Sequence, residues 1–348
     1  MHANLANAFA VAGLLVLTAC PTDDDTDDTS PPTTPQCDVT TVASGGSVSL
    51  YSIWGNATDN VYMVGADAGA GPVVLHWNGT DWNSLDTGTT GDLWWVWGDG
   101  ADNVWFSGAG GRVVHHVISA GTFTETQVVA SEDVVLFGIW GSSADDIWTV
   151  GGNPTLNAGG TASHWDGTAW AEATDLPTDA TTGQIFKVWG RSATDVTMVG
   201  SNALLLNYDG AWTVDPPPVS DTTTLFTVSG GPDEIYAVGG FGSGVIARHD
   251  GTGWVDDSPT PDRLAPGLNG VFVSDNHGVV AVGNSGALFE RSSDGWNARC
   301  STPATILDYH GSWIDPEGGV WAVGGALSSQ IEGIIVYAGP NPPATLTF

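Results

Sequence analysis

Val188-Trp189-Gly190-Arg191-Ser192-Ala193-Thr194-Asp195-Val196-Thr197-Met198-Val199-Gly200, followed by Tyr208-Asp209-Gly210-Ala211-Trp212, is the stretch that decides the fold. It recurs along the chain. Its tryptophan position is filled by Trp54, Trp97, Trp140, Trp189, Ser229, Phe272 and Trp313, and its closing glycine by Gly65, Gly108, Gly151, Gly200, Gly239, Gly283 and Gly324. The two positions lie 11 residues apart in every copy but the fifth, where the gap is 10, and successive copies start 43, 43, 49, 40, 43 and 41 residues apart. A period of this length, built from short strands, belongs to radial β architectures in which one copy cannot bury its own faces and must stack on its neighbours. The chain is therefore expected to be all-β, a seven-bladed β-propeller of four-stranded antiparallel blades.

Each copy supplies four strands. Leu93 to Trp97 is a first strand, Val104 to Ser107 a second and Val73 to Trp77 a third, with the alternation that half-buried strands need. Asn78-Gly79, Asp166-Gly167, Asp209-Gly210, Asp250-Gly251 and Asp294-Gly295 are tight-hairpin dipeptides, and the fourth strand then opens on Trp82, Phe123, Trp170, Trp212, Trp254 or Trp296. The ring closes either through Val39 to Val42, completing the last blade from the N-terminal side, or through Ala344 to Phe348.

Charge narrows the partners. Seven Lys plus Arg against 39 Asp plus Glu give a net charge of −32. Nucleic-acid binding depends on basic residues that neutralise phosphates, and docking on anionic lipid needs the same, so both are excluded. Residues 1–19 read as an export signal. Ala8 to Ala19 is apolar but too short to span a bilayer, and Leu17-Thr18-Ala19-Cys20 resembles a bacterial lipobox, which implies lipidation of Cys20. No Lys or Arg precedes the apolar run, a departure from the usual signal. Residues 20–36 form an acidic Pro/Thr/Asp tether with nothing to bury. Its aspartates can hold calcium loosely, a solvated spacer is the plainer reading, and no cofactor is expected. Pro21, where an Asp would retain a lipoprotein at the inner membrane, points to the outer membrane of a bacterial envelope. The propeller occupies 37–348 and is expected to be a monomer that meets the membrane only through its lipid.

The W-G-x-S-x-x-D-V-W-x-V-G repeats resemble those of bacterial secreted propellers in the Asp-box, sialidase and galactose-oxidase-like group. Asn78-Gly79-Thr80-Asp81-Trp82, Asp166-Gly167-Thr168-Ala169-Trp170 and Asp250-Gly251-Thr252-Gly253-Trp254 are compressed forms of the Asp-box hairpin. That resemblance implies scaffold and no chemistry. Sialidases clamp a carboxylate with three arginines, whereas Arg112, Arg191, Arg248, Arg263, Arg291 and Arg299 fall at unrelated repeat positions. His76 and His164 share one repeat position and read as strand-face residues. The aspartates before the second strand, Asp59, Asp102, Asp145 and Asp195, read as turn-fixing groups, and the motif tryptophans as blade packing. No catalytic or metal-ligating set emerges.

One functional inference remains. In a four-stranded blade the loops from strand two to three and from blade to blade share one face, and here those loops are irregular; the opposite face carries the uniform S-x-x-D and D-G turns. Binding belongs on the irregular face. Its candidates are Asp67, Asn153, Asn157, Asp175, Asp179, Asn202, Phe241, Asp256, Asp257 and Asn284. The expected function is a non-catalytic, envelope-anchored binding scaffold for an envelope protein or a glycan, the alternative being a polysaccharide-degrading enzyme. Finally, lipidation of Cys20 leaves Cys37 and Cys300 as an even pair in an oxidising compartment, where a disulfide is expected if Cys37 lies in the segment entering the last blade.

Overall fold

The computed structural model describes residues 37–259, 265–326 and 329–348. The expected signal, the lipidated Cys20 and the tether, as well as Arg263, lie outside the described residues. Seven four-stranded antiparallel sheets form the blades. Their first strands are Leu50–Ala57, Leu93–Gly98, Val135–Ser143, Ile185–Ser192, Leu225–Gly230, Leu268–Ser274 and Asp308–Ile314. Each packs against the first strand of the next blade, and Leu50–Ala57 meets Asp308–Ile314, so these seven strands line a central channel.

The core is seven layers, one per seam. Tyr62, Val64, Val74, Leu93 and Val104 fill the seam between blades 1 and 2. Leu50, Ile53, Trp313, Trp321 and Tyr337 fill the seam between blades 7 and 1. Two glycine contacts set this geometry. A Cβ on any of the closing glycines would fall 1.8–2.2 Å from the carbonyl oxygen just ahead of Leu50, Leu93, Leu136, Ile185, Leu225, Leu268 or Tyr309. The glycine after the motif tryptophan takes the indole of the preceding blade. A Cβ there would lie 2.5 Å from Trp54 at Gly98, 2.7 Å from Trp97 at Gly141, 2.7 Å from Trp140 at Gly190, 2.6 Å from Trp189 at Gly230 and 2.7 Å from Trp313 at Gly55. Two copies depart from this lock, at two different seams. Ser229 faces Val273, whose N–H donates to Ser229 Oγ at 3.0 Å. Phe272 packs on the cluster that contains Ile314. Tryptophan against glycine is kept at five of the seven seams, so the repeated tryptophans are packing elements.

The outer strands are tied in as well. Nε1 of Trp212, Trp254 and Trp296 donates to Asp175, Asp215 and Asp257 on the blade before. Val39–Gly45 completes blade 7, pairing antiparallel with Ile331–Ala338. The competing segment, Ala344 to Phe348, forms no strand; the Leu346 N–H donates to the Val42 carbonyl at 2.9 Å. Cys37 lies just ahead of the closing strand and is disulfide-bonded to Cys300, with the Cα atoms 4.9 Å apart. Beside the bond, Arg299 grips Asp38 through both nitrogens at 2.7 and 2.9 Å, and this holds the Asp38 carboxyl below its usual range. Treating the strands as parallel rods would place the two cysteines at opposite ends. The twist accumulated from inner to outer strand swings the start of the closing strand toward blade 6, where Val39 and Cys300 line one cavity.

Candidate functional site

Every inner strand carries a β-bulge near its start, and the seven extra residues are Tyr51, Trp94, Phe137, Phe186, Phe226, Asn269 and His310. A bulge leaves one residue unpaired and re-aims its side chain. Here the re-aimed side chains meet at the irregular-face end of the channel. Ring centroids run His310 to Tyr51 at 5.6 Å, Tyr51 to Trp94 at 4.4 Å, Trp94 to Phe137 at 5.3 Å, Phe137 to Phe186 at 5.1 Å and Phe186 to Phe226 at 5.7 Å. The series then leaves the channel: Phe241, in the loop between the second and third strands of blade 5, stands edge-on to Phe226 at 5.0 Å. Asn269 breaks the aromatic run and donates to Asn284 Oδ1 at 2.9 Å and to the Tyr309 carbonyl at 2.8 Å.

Next to this ring is the only lysine of the chain, since seven Lys plus Arg less six Arg leaves Lys187. It is 3% exposed. Its side chain runs toward blade 3, where Gly138 leaves room: a Cβ on Gly138 would lie 3.0 Å from the Lys187 Cα. Nζ donates to the Phe137 carbonyl at 2.7 Å and sits 4.2 Å from the Trp95 ring centroid. Burial pushes its pKa down to about 7. His310 Nδ1–H donates to the Tyr51 carbonyl at 2.6 Å, which leaves Nε2 as an acceptor. Burial first, and then the Lys187 charge, push the His310 imidazole down to about 4. The centre of a strongly acidic protein thus holds an amine whose proton burial loosens, near an imidazole that burial keeps neutral.

Toward the opposite mouth the channel holds a chamber of about 230 Å³. Trp54, Trp95, Trp97, Trp140, Trp189 and Phe272 line it, with Ser312 among them. Ser312 is 8% exposed, and its Oγ is a buried hydroxyl without a hydrogen-bond partner.

Several residues expected to bind are occupied in holding their own loops. Asp67 accepts the N–H groups of Gly91 at 2.8 Å, Gly69 at 2.6 Å and Gly71 at 3.0 Å, and these, the Gly91 N–H foremost, keep its carboxyl below the ordinary range. Asn153 accepts from Thr155 and Leu156, and Asp256 from Ser258. Asp175 accepts from Trp212. Asp257 gathers Trp296 Nε1 and Arg291 at 2.9 Å, with Arg248 at 3.7 Å, so two of the arginines do meet, around a carboxylate of the protein's own. Asn284 donates to the Phe241 carbonyl at 3.2 Å. Asn157 and Asn202 turn their loops with positive φ of 49° and 59°. Asp179 and Asn202 share a cavity of about 370 Å³ with Asp215 and Asp221. Of the aspartates before the second strand, Asp102 accepts Ser119 N–H and Oγ–H in the turn across from it, whereas Asp195 pairs with Arg191. His164 bonds Asp146 at 2.6 Å and stacks on Trp148, as a strand-face residue does. Among the described residues no group of three His, Cys, Asp or Glu is placed to hold a metal.

The irregular face exposes large apolar side chains among its polar loop residues. Leu156 at 72%, Phe241 at 75% and Ile306 at 89% stand on its loops. Ile331, at the start of a third strand, and Phe348, against Gly46, are at the same face, and Val255, on an outer strand, is the sixth exposed large apolar residue among those described. The channel ring and Lys187 were not singled out from the sequence. Their signal was present as an aromatic three residues before the motif tryptophan in five copies, and as a single lysine in the whole chain.

No known family model matches the chain, and no curated protein matches it. Solved structures do. A catalytically inactive virginiamycin B lyase from Staphylococcus aureus with quinupristin superposes with a TM-score of 0.67 at 14% identity, over 85% of this chain and 98% of that one. The WD40 β-propeller domain of Doa1 matches with a TM-score of 0.63 at 8% identity, over 87% and 98%. The extracellular domain of a one-component system from B. thetaiotaomicron matches with a TM-score of 0.60 at 11% identity, over 85% of this chain and 39% of that one. A lyase, a WD40 domain and the extracellular domain of a one-component system share the fold, so the likeness establishes the propeller and leaves its use to the site.

Proposed function

We propose that this propeller is a non-catalytic binding scaffold that docks a partner protein on its irregular face and is held at the bacterial outer membrane by lipid on Cys20. The observation that carries the reading is the placement of exposed apolar side chains. Five of the six lie at one face, and the three most exposed, Leu156, Phe241 and Ile306, stand on loops of three different blades. Large apolar residues left in water on one face mark an interaction surface. On that face Asp67 and Asp175 are engaged with backbone or indole N–H groups, which favours contact area over acid–base chemistry at those positions. The compressed hairpins support the likeness to the Asp-box group, in which that turn is scaffold. Asp166 accepts Thr168 Oγ1–H at 2.6 Å and the N–H groups of Thr168 and Ala169 at 2.9 Å. No cofactor is required, and the chain acts as a monomer until it meets its partner.

Photo-crosslinking tests this with the full chain in its own envelope. A crosslinker at position 156, 241 or 306 is expected to capture one protein partner, and one at position 80 or 168 on the other face none. Capture from the uniform face alone, or glycan bound in place of protein, would overturn the reading. Cys20→Ser is expected to release the chain from membranes; retention there, with no labelled palmitate on the wild type, would refute the anchor.

A further inference from the structure

We propose that the channel is a capture site for a small apolar aldehyde, which it holds as an imine on Lys187. The inference is independent of the docking surface on the outer loops. It starts from economy of composition. A chain with one lysine has placed it on the channel wall, 3% exposed, in the inner strand of blade 4. A solubilising lysine sits in water, and a structural one pairs with a carboxylate. This one donates to a single backbone carbonyl, Phe137, and rests on an indole, Trp95, with no acid as its partner among the described residues.

The surroundings fit a neutral amine. A desolvated ammonium gives up its proton, and the free amine is the nucleophile that carbonyl compounds require. His310 turns a lone pair, not a proton, toward whatever it faces, because its Nδ1–H is given to Tyr51. Beside the amine, Trp95 is a shared wall. One part of it carries Lys187 and another lines the chamber of about 230 Å³ with Trp54, Trp97, Trp140, Trp189 and Phe272. Such a chamber suits one flat apolar ring, and its lining includes two hydroxyls, Ser229 and Ser312, the second buried and without a hydrogen-bond partner. An anionic ligand would have to enter a molecule of net charge −32, whereas a neutral aldehyde meets no such barrier. In the reaction the Lys187 nitrogen adds to the carbonyl carbon, and a C–N bond replaces the C–O π bond. The carbinolamine then loses its oxygen with the two amine hydrogens as one water, leaving C=N. No electrons are exchanged, and addition of water reverses the step. An aromatic interior that excludes water favours the condensed form.

Because the chain has one lysine, reductive trapping reads this site directly. The full chain in detergent is treated at neutral pH with benzaldehyde and cyanoborohydride, and the Lys187 peptide is weighed. The folded protein is expected to gain one benzyl group on Lys187, at a rate at least about tenfold above that of the same residue in denaturant, where the amine is protonated. Trp95→Ala, which removes the wall between chamber and amine, is expected to raise the rate further. Equal or slower labelling of the folded chain would overturn the proposal, since Lys187 would then be an ordinary or a sealed amine. A wild-type rate that falls in Trp95→Ala while that variant stays folded would overturn it too, because the route would not run through the chamber.

Discussion

The two ends of the seven inner strands make opposite use of aromatic residues. At the uniform-face end, indoles are spent on packing: Trp54, Trp97, Trp140, Trp189 and Trp313 each press into a glycine of the next blade. At the irregular-face end, three residues earlier, Tyr51, Trp94, Phe137, Phe186 and Phe226 are lifted out of the ladder by a bulge and turned into the channel. The first set repeats because each seam poses the same packing problem. The second varies in identity and yields to Asn269 and His310 in blades 6 and 7. In a repeat protein the loudest signal therefore marks scaffold, and a quieter position in phase with it marks the surface left free to differ.

The sharpest way to break this contrast is to remove the bulge. The closing glycine lets the second strand pass close enough for the inner strand to slip. Gly151→Ala would set a methyl 2.1 Å from the Val135 carbonyl. The neighbour is backbone and cannot swing away, so a loss of about 3 kcal/mol or more is expected in urea unfolding. Gly159→Ala is its partner experiment. Gly159, on the loop side of the same blade, has φ of 70° with open space around it, so only backbone strain of about 1 kcal/mol applies. Equal costs at the two glycines would mean that the close approach at Gly151 is not what holds the bulge.

Lys187 tests the channel end. Its pKa falls from 10.5 in the open chain to about 7 in the folded state. Below that value both states hold the proton, and the fold bears the full penalty of a buried charge. Between about 7 and 10.5 the unfolded chain binds the proton and the folded chain does not, so stability rises with pH across that window. Lys187→Met has no such proton. From pH 7 to pH 9 the wild type is expected to gain about 2 kcal/mol on Lys187→Met, which should be the more stable of the two at pH 7. Parallel stability curves across this range would place the amine in water.

These cases also explain what could be read beforehand. The fold was legible because the Trp–Gly lock and the closing glycine are contacts between fixed repeat positions, and such contacts leave a period. The ring closure was half legible: Val39 to Val42 carried strand composition, but choosing it over Ala344 to Phe348 depends on pairing with Ile331–Ala338. The site was scarcely legible. Irregular loops located a face, but composition could not tell that Asp67 is consumed by Gly91, Gly69 and Gly71, or Asp257 by Trp296 and Arg291. The channel ring was hidden by the bulge. In a regular strand, residues three apart point to opposite faces, so Tyr51 and Trp54 would not have been assigned to one channel without the extra residue between them.

The smallest expected effect comes from repairing one of the two seams that depart from the rule. Between blades 5 and 6, Ser229 and Val273 replace the tryptophan and the glycine, joined by a 3.0 Å bond from the Val273 N–H to Ser229 Oγ. If packing alone explains the repeat, the two positions must change together. Ser229→Trp drives an indole onto a β-branched side chain and is expected to cost about 1–3 kcal/mol. Val273→Gly removes buried contacts and frees the backbone, at a similar cost. The double variant rebuilds the arrangement of Trp189 on Gly230, where a Cβ would fall 2.6 Å from the ring. Its stability should exceed the sum of the single effects by about 1–2 kcal/mol in a double-mutant cycle. A coupling near zero would separate the two residues, and the motif tryptophans would then need another reason for their spacing, such as the chamber that four of them line.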